Sequence, residues 1–373
     1  MRGPIRFALF TLILLASLSP PARADEWDDT VDKSVAYLRK AQAKDGSWGG
    51  KQASGVTGVV VTGLLRTGKV TDKDPMVEKA LAYIESLITK EGHIAGKGAH
   101  VKLHNYVTCI NVMALVAANR PAYKEPIGNA VAFLQKLQWD EGEGKDAKSD
   151  FYGGAGYDSK SRPDLSNTQF FLEALVAAGL PKTDPTFVKA VVFVSRCQNT
   201  KGETNDQPWA GKIDDGSFIY TPAMGGDTKV VDGLDPKGPK GLPGYGSMTY
   251  AGVKSLLYCG IAKNDPRIAK ATAWLAKNYT VERNPGMGDD RKEWGLYYYY
   301  FTMAKCLEAI GGEHFIDAKG VKHAWKADIT SALANRQQAN GSWVNPADHW
   351  MEGNAPLVTG YALMTLAATK PTK

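Results

Sequence analysis

Carboxyl groups set among apolar residues are the part of this sequence with the plainest chemical potential. Glu173 is the one acid in its apolar segment, 167–178. Burial there predicts a raised pKa and general-acid behaviour. Asp289 and Asp290 form a pair just ahead of an aromatic run, and Asp214 and Asp215 form another within a Gly-, Pro- and Asp-rich stretch at about 202–247. Paired acids on an open rim suit glycosidase or lyase chemistry, and His349 and Glu352 can join the same rim. The aromatic run offers different chemistry. Tyr297, Tyr300 and Phe301 fall at i, i+3 and i+4 on one helical face. With Trp294, Tyr106, Tyr250 and the Asn167 amide they predict a cavity wall that holds an apolar ligand or stabilises a carbocation through ring quadrupoles. Asp289, Asp290 and Glu173 are then the provisional acids. Each feature also has a plainer reading: the aromatic stripe packs a core, the rim acids form turns, and Glu173 bonds a neighbour. The six histidines are scattered and no two cysteines share a turn, so no metal site or cofactor is expected.

The elements that must position these groups are repeated. Tyr37-Leu38 is followed by Gln42, Gly46 and Trp48, and Ala332-Leu333 by Gln337, Gly341 and Trp343 at the same offsets. Between them stand Phe133-Leu134 with Gln138 and Gly142, and Phe193-Val194 with Gln198 and Gly202. Two copies are degenerate: Tyr83-Ile84 keeps Gly92 without the Gln, and Trp274-Leu275 keeps neither. Repetition at this level signals an array of one supersecondary unit. The Gln, Gly and Trp residues are read as structural, with Gly for a turn and the indole stacking on the next unit.

Each copy is followed by a second segment rich in Ala, Leu and Val: 57–67, 106–118, 167–178, 248–259, 296–310 and 358–368. Helices apolar nearly all round are buried, whereas the first helix of each pair is amphipathic. Asp74-Pro75, Asp184-Pro185 and Asp265-Pro266 each supply an N-cap with Pro at the first helical position. The expected fold is all-α: an (α/α)6 barrel, or toroid, of six helical hairpins in one domain over 25–373. Closing the ring covers both ends of the array, which an open solenoid has to cap.

The repeat resembles the QW motif of the squalene cyclase and protein prenyltransferase superfamily, carried by Tyr37-Leu38, Gln42 and Gly46-Ser47-Trp48 and by Leu333, Gln337 and Gly341-Ser342-Trp343. Trp294-Gly295-Leu296 and the four tyrosines after it look like the tryptophan–glycine–aromatic run of squalene and oxidosqualene cyclases. The resemblance implies a toroid enclosing an aromatic cavity for an isoprenoid, with terpenoid cyclisation or isomerisation as the nearest chemistry. The D-x-D-D acid motif of such cyclases is missing: Asp72-x-Asp74 lacks the final pair, and Asp232 and Asp235 are wrongly spaced. The zinc ligands of prenyltransferase β subunits and the G-C-G-E-Q element of thioester domains are missing too. Three classes therefore stay open: an isoprenoid-binding toroid with or without cyclase activity, a carbohydrate-active enzyme with a glycan ligand, and a non-catalytic binding or scaffold protein.

Arg2 and Arg6, the apolar run Phe7 to Leu18 and Ala22-Arg23-Ala24 predict a signal peptide cleaved before Asp25, and so export to the periplasm or the extracellular space. No later run is long enough to span a bilayer. The 373 residues carry 45 Lys and Arg against 39 Asp and Glu, and three of those Arg lie in the first 24 residues. So small an excess gives no reason to expect nucleic acid as partner. The sequence leaves the oligomeric state open. Cys109, Cys197, Cys259 and Cys306 sit in helical, apolar surroundings and are read as buried thiols.

Overall fold

The computed structural model describes residues 24–97, 103–236, 238 and 240–371. Apart from Ala24, the signal-peptide reading falls on residues outside these. Twelve α-helices alternate between two layers among the described residues. The outer ones are α1 (Ala24–Ala41), α3 (Pro75–Ser86), α5 (Lys124–Gln135), α7 (Pro185–Arg196), α9 (Pro266–Lys277) and α11 (Trp325–Arg336). The inner ones are α2 (Ala53–Thr67), α4 (His104–Ala118), α6 (Leu165–Ala177), α8 (Gly246–Tyr258), α10 (Leu296–Ile310) and α12 (Ala355–Thr369). Inner helices pack in the order α2, α4, α6, α8, α10, α12, and α12 returns to α2. The ring is closed, as a toroid requires.

The Asp-Pro signals are N-caps as expected. The side chains of Asp74, Asp184 and Asp265 accept from the backbone N–H groups of Met76, Thr186 and Arg267. Each repeat Gln then clamps its own turn to the start of the next outer helix. Gln42 Nε2 donates to Gly46 O and Met76 O, Gln138 to Gly153 O and Thr186 O, and Gln198 to Gly216 O and Arg267 O. Gln337 closes the circle, donating to Gly341 O and to Thr30 O of α1.

These bonds correct two glycines of the repeat. Gly142 sits in a capped surface turn and Gly202 is exposed; the residues in the Gly46 position are Gly153 and Gly216. A Cβ on Gly46, Gly153, Gly216 or Gly341 would come within 2.7 Å of the backbone of Lys79, Lys189, Lys270 or Lys33, and all four have positive φ. Insertions after Gln138 and Gln198 carry the glycine away from its expected offset.

A second mark of the repeat is a threonine. Thr57, Thr108, Thr168, Thr249 and Thr359, each in the first turns of an inner helix, accept through Oγ1 from the backbone N–H of Trp48, Ile94, Ala155, Phe218 and Trp343. Turn and inner helix are thereby locked together in five of the six copies. At the other end, Lys370, Lys182 and Lys263 donate to the carbonyls of Thr67, Leu257 and Ile310, placing cations at the negative ends of α2, α8 and α10. All four cysteines are buried and unpaired.

Candidate functional site

All six inner helices point the same way, so their N-termini and the loops before them surround one mouth of the ring. Side chains of inner helices that are not ring neighbours meet only across the axis, and they reveal what fills it. Tyr106 of α4 shares a 2.7 Å hydroxyl contact with Tyr361 of α12. Phe170 of α6 stacks on Phe301 of α10 with centroids 5.6 Å apart, and meets Tyr298 at 6.1 Å. Tyr298 in turn meets Tyr361 at 6.1 Å. Five rings thus form an aromatic throat below the mouth. Tyr106 and Tyr298 keep partial exposure although they project toward the axis.

The expected open cavity is therefore filled by side chains. Two surface hollows, of about 520 and 370 Å³, lie off the axis beside the C-terminal ends of α4 and α6 and of α2 and α4. Under the rings sits an ionic floor. Lys254 of α8, fully buried, bonds Glu173 at 2.7 Å and also Gln169, with its ammonium 4.9 Å from the Phe301 centroid. Arg66 of α2 reaches the same carboxylate at 3.2 Å.

That floor overturns the acid role expected of Glu173. Burial alone would raise its pKa, but attraction to Lys254, Lys305 and Arg66 prevails and holds it down to about 2. An acid this strong stays ionised at neutral pH and donates no proton.

The long insertion finds its place at the mouth. Its Asp215-Gly216-Ser217 is a repeat turn: Asp215 Oδ1 accepts from Ser217 N and Oγ, as Asp45 does from Ser47 and Asn340 from Ser342. Asp214 is engaged by Lys270 and by the Lys201 N–H. Beyond this turn the insertion delivers Tyr220 and Tyr245 to the mouth, beside Tyr157 and the buried Asp164. Asp164 caps α6, accepting from Asn167 N at 2.9 Å, Asn167 Nδ2 at 2.7 Å and Ser166 Oγ at 2.7 Å. Burial raises its pKa against these bonds.

The other expected site residues divide. Phe301, Tyr106 and Asn167 are at the throat or mouth. Tyr300 is not: its hydroxyl donates to Val281 O in the outer layer, and Tyr297 packs edge-on against Tyr300. Tyr250 leans on Tyr299 between α8 and α10. A helix shows only about one residue per turn to the axis, and in α10 these are Tyr298, Phe301 and Lys305. Trp294 is on the rim, stacked on His349 at 3.8 Å and covered by Arg291. Asp289 and Asp290 are 98% and 79% exposed on that rim, near Arg283 and Arg291, far from the shielded setting an acid catalyst needs. Tyr298, Phe170, Tyr361 and Asp164 were missed. The i+3 step from Tyr298 to Phe301, matched by Phe170 to Glu173, was the available signal for the first two.

Glu352 does structural work. Its buried carboxylate accepts from Tyr297 N and Tyr298 N at 3.0 and 2.8 Å and from Asn345 Nδ2 at 2.7 Å, capping α10 from another loop. Burial, only partly offset by these bonds, lifts its pKa to about 7. Above the usual unfolded carboxylate range and up to pH 7, the folded state holds a proton that the unfolded chain has lost. Stability from this group therefore falls as pH rises through that window, by on the order of 3 kcal/mol. Urea midpoints should decline from pH 5 to pH 8, and Glu352→Gln should flatten the decline; an equal slope in both proteins would remove Glu352 as its source.

Comparison with known proteins agrees with this architecture. The family model of the squalene-hopene cyclase C-terminal domain matches residues 51–221. No curated protein matches the sequence. Among solved structures, an apo form of the type II terpene cyclase MstE from Scytonema is 14% identical with a TM-score of 0.58, covering 93% of this chain and 98% of its own. A complex of MstE with geranylgeranyl dihydroxybenzoate, its substrate, is 14% identical over the same shares with a TM-score of 0.55. A complex with the product merosterolic acid A is 15% identical, again over 93% and 98%, with a TM-score of 0.54.

Proposed function

We propose that this squalene cyclase/prenyltransferase-like toroid binds an isoprenoid-like apolar ligand at the aromatic throat, entering at the N-terminal mouth of the inner helices, with the rings parting to take up the chain. The observation that carries the reading is the set of rings from α4, α6, α10 and α12 meeting on the axis, two of them partly exposed. The faces of such rings give apolar contact, which suits a hydrocarbon chain. Support also comes from MstE, whose substrate carries a geranylgeranyl chain. Binding takes place outside the cytoplasm once the first 24 residues are removed, in keeping with the Arg-flanked apolar run and Ala22-Arg23-Ala24.

Within this reading the proton donor is Asp164. Burial raises its pKa, and it caps α6, the helix that carries Phe170 of the throat, whereas Glu352, the other buried carboxyl at the mouth with a raised pKa, is committed to capping α10. Transfer of its proton to an alkene carbon would leave an Asp164 carboxylate and a carbocation facing the rings; attack by a second alkene of the chain would close a ring and move the cation, and loss of a proton from the carbon beside it, back to that carboxylate, would end the reaction. The carbohydrate-active alternative needs two carboxyl groups facing one bond. Asp214 is paired with Lys270, Asp215 is part of a turn, and Asp289 and Asp290 lie in solvent by arginines.

Lipid extraction and native mass spectrometry of the mature protein, purified from the exported fraction, test the binding. A co-purifying isoprenoid is expected, and an empty protein that takes up no squalene-like polyene would sink the reading. Incubation with a C20 polyene should give cyclised product with the wild type and none with Asp164→Asn, which keeps the helix cap. Equal product from both would remove Asp164 from the chemistry.

A further inference from the structure

The throat is not wholly apolar at its top. Asn167 is 1% exposed, and its amide nitrogen is committed to Asp164 Oδ2 at 2.7 Å. With that nitrogen so committed, Oδ1 has no hydrogen-bond partner among the described residues. The Tyr298 hydroxyl, on the axis, is likewise buried and unpartnered. Tyr298 lies within electrostatic reach of Asp164, Tyr106 and Tyr157, and Tyr157 also approaches Asn167. Phe170, one turn on from Asn167 in α6, meets the Tyr298 ring at 6.1 Å, so an unsatisfied acceptor and an unsatisfied hydroxyl stand on helices that meet across the axis.

A buried polar atom left unpaired costs on the order of 1–3 kcal/mol, and two at the top of the proposed ligand site point to a group that arrives with the ligand. A single alcohol or phenol hydroxyl answers both: it donates to Asn167 Oδ1 and accepts from Tyr298 Oη. A pure hydrocarbon answers neither. A diphosphate has no donor for Asn167 at neutral pH.

We infer that the throat carries a hydroxyl-recognition subsite formed by Asn167 and Tyr298, so that the ligand is an isoprenoid bearing one neutral hydroxyl, held with its polar end at the mouth and its chain among the rings. The inference rests on the throat being the ligand site.

The test is equilibrium binding of three probes to the full mature protein: geranylgeraniol, the same hydrocarbon lacking the hydroxyl, and geranylgeranyl diphosphate. Geranylgeraniol should bind roughly five- to tenfold more tightly than the hydrocarbon, the worth of about one hydrogen bond. Tyr298→Phe should reduce that preference, the ratio of alcohol to hydrocarbon affinity, toward unity. It deletes only an unpaired hydroxyl, so its melting temperature without ligand should equal or exceed the wild type's, which separates recognition from a structural role. Asn167→Ala should cut the same preference. Equal affinity for alcohol and hydrocarbon would overturn the subsite and leave the throat reading intact, as would tighter binding of the diphosphate. No binding of any probe would overturn both.

Discussion

Trp48→Ala and Trp343→Ala should each destabilise the protein by about 3–5 kcal/mol, the usual cost of deleting a large buried ring. Trp48 is 1% exposed and donates through Nε1 to Leu38 O at 2.9 Å; Trp343 is fully buried and donates to Leu333 O at 2.8 Å. Each indole thus holds its turn against the last residues of its own outer helix, while its backbone N–H is held by the inner-helix threonine. Removal leaves a cavity at the junction of three elements and orphans a carbonyl. Trp48→Phe retains most of the volume and loses only the N–H, so it should cost about 1 kcal/mol. Denaturant midpoints of the three variants check the ranking, and unchanged midpoints in both alanine variants would mean that the turns do not hold the layers together.

Glu173→Gln should cost a similar 3–5 kcal/mol, for an electrostatic reason. Lys254 is fully buried and depends on Glu173 for its counter-charge. The glutamine keeps the shape and strands the ammonium beside Gln169. Arg66 has an escape to solvent, being 25% exposed, and should contribute less to the loss. Because the Glu173 carboxyl is held down to about 2, its stabilising contribution is complete above the unfolded carboxylate range and disappears as pH falls toward 2. The gap between wild type and Glu173→Gln should therefore be widest near pH 7 and close as pH falls. The double variant Glu173→Leu, Lys254→Met replaces the pair with apolar groups and should recover most of the stability. A double variant as unstable as the single one would mean that the pair matters for packing and not for charge.

Much of the architecture was legible because it is written six times. The Gln residues, the Asp-Pro caps and the contrast between amphipathic and apolar helices gave the layers and the closure directly. The repeat glycines of the third and fourth copies were hidden because the intervening loops had grown, and only hydrogen bonding to Gln138 and Gln198 identifies Gly153 and Gly216. The triplets Asp45-Gly46-Ser47, Asp215-Gly216-Ser217 and Asn340-Gly341-Ser342 were in plain view, and would have assigned Asp215 to a turn.

The site was harder to read. Four consecutive tyrosines say that α10 is aromatic, but not which ring faces the axis. That depends on helix rotation, set here by Glu352 at its N-terminus and by the bonds from Tyr299 and Tyr300 to the outer layer. Glu173 failed as an acid because its partners, Lys254 and Arg66, lie 81 and 107 residues away in the chain. Asp164 looks like any helix cap until the insertion folds Tyr220 and Tyr245 over it.

The seam between α1 and α12 has a kinetic consequence. Trp27 Nε1 donates to Leu366 O across 339 residues, and Gln337 reaches back to Thr30 across 307. The first outer helix therefore has no native partner for part of its apolar face until the last hairpin has emerged. A chain delivered from its N-terminus should wait in a partly exposed state and close late, in a step whose loop entropy is among the largest the molecule pays. In pulse-labelling hydrogen exchange, amides of α1 and α12 should gain protection together and after those of α4 and α6. The same seam should be the first part of the ring to open when the folded protein is stressed.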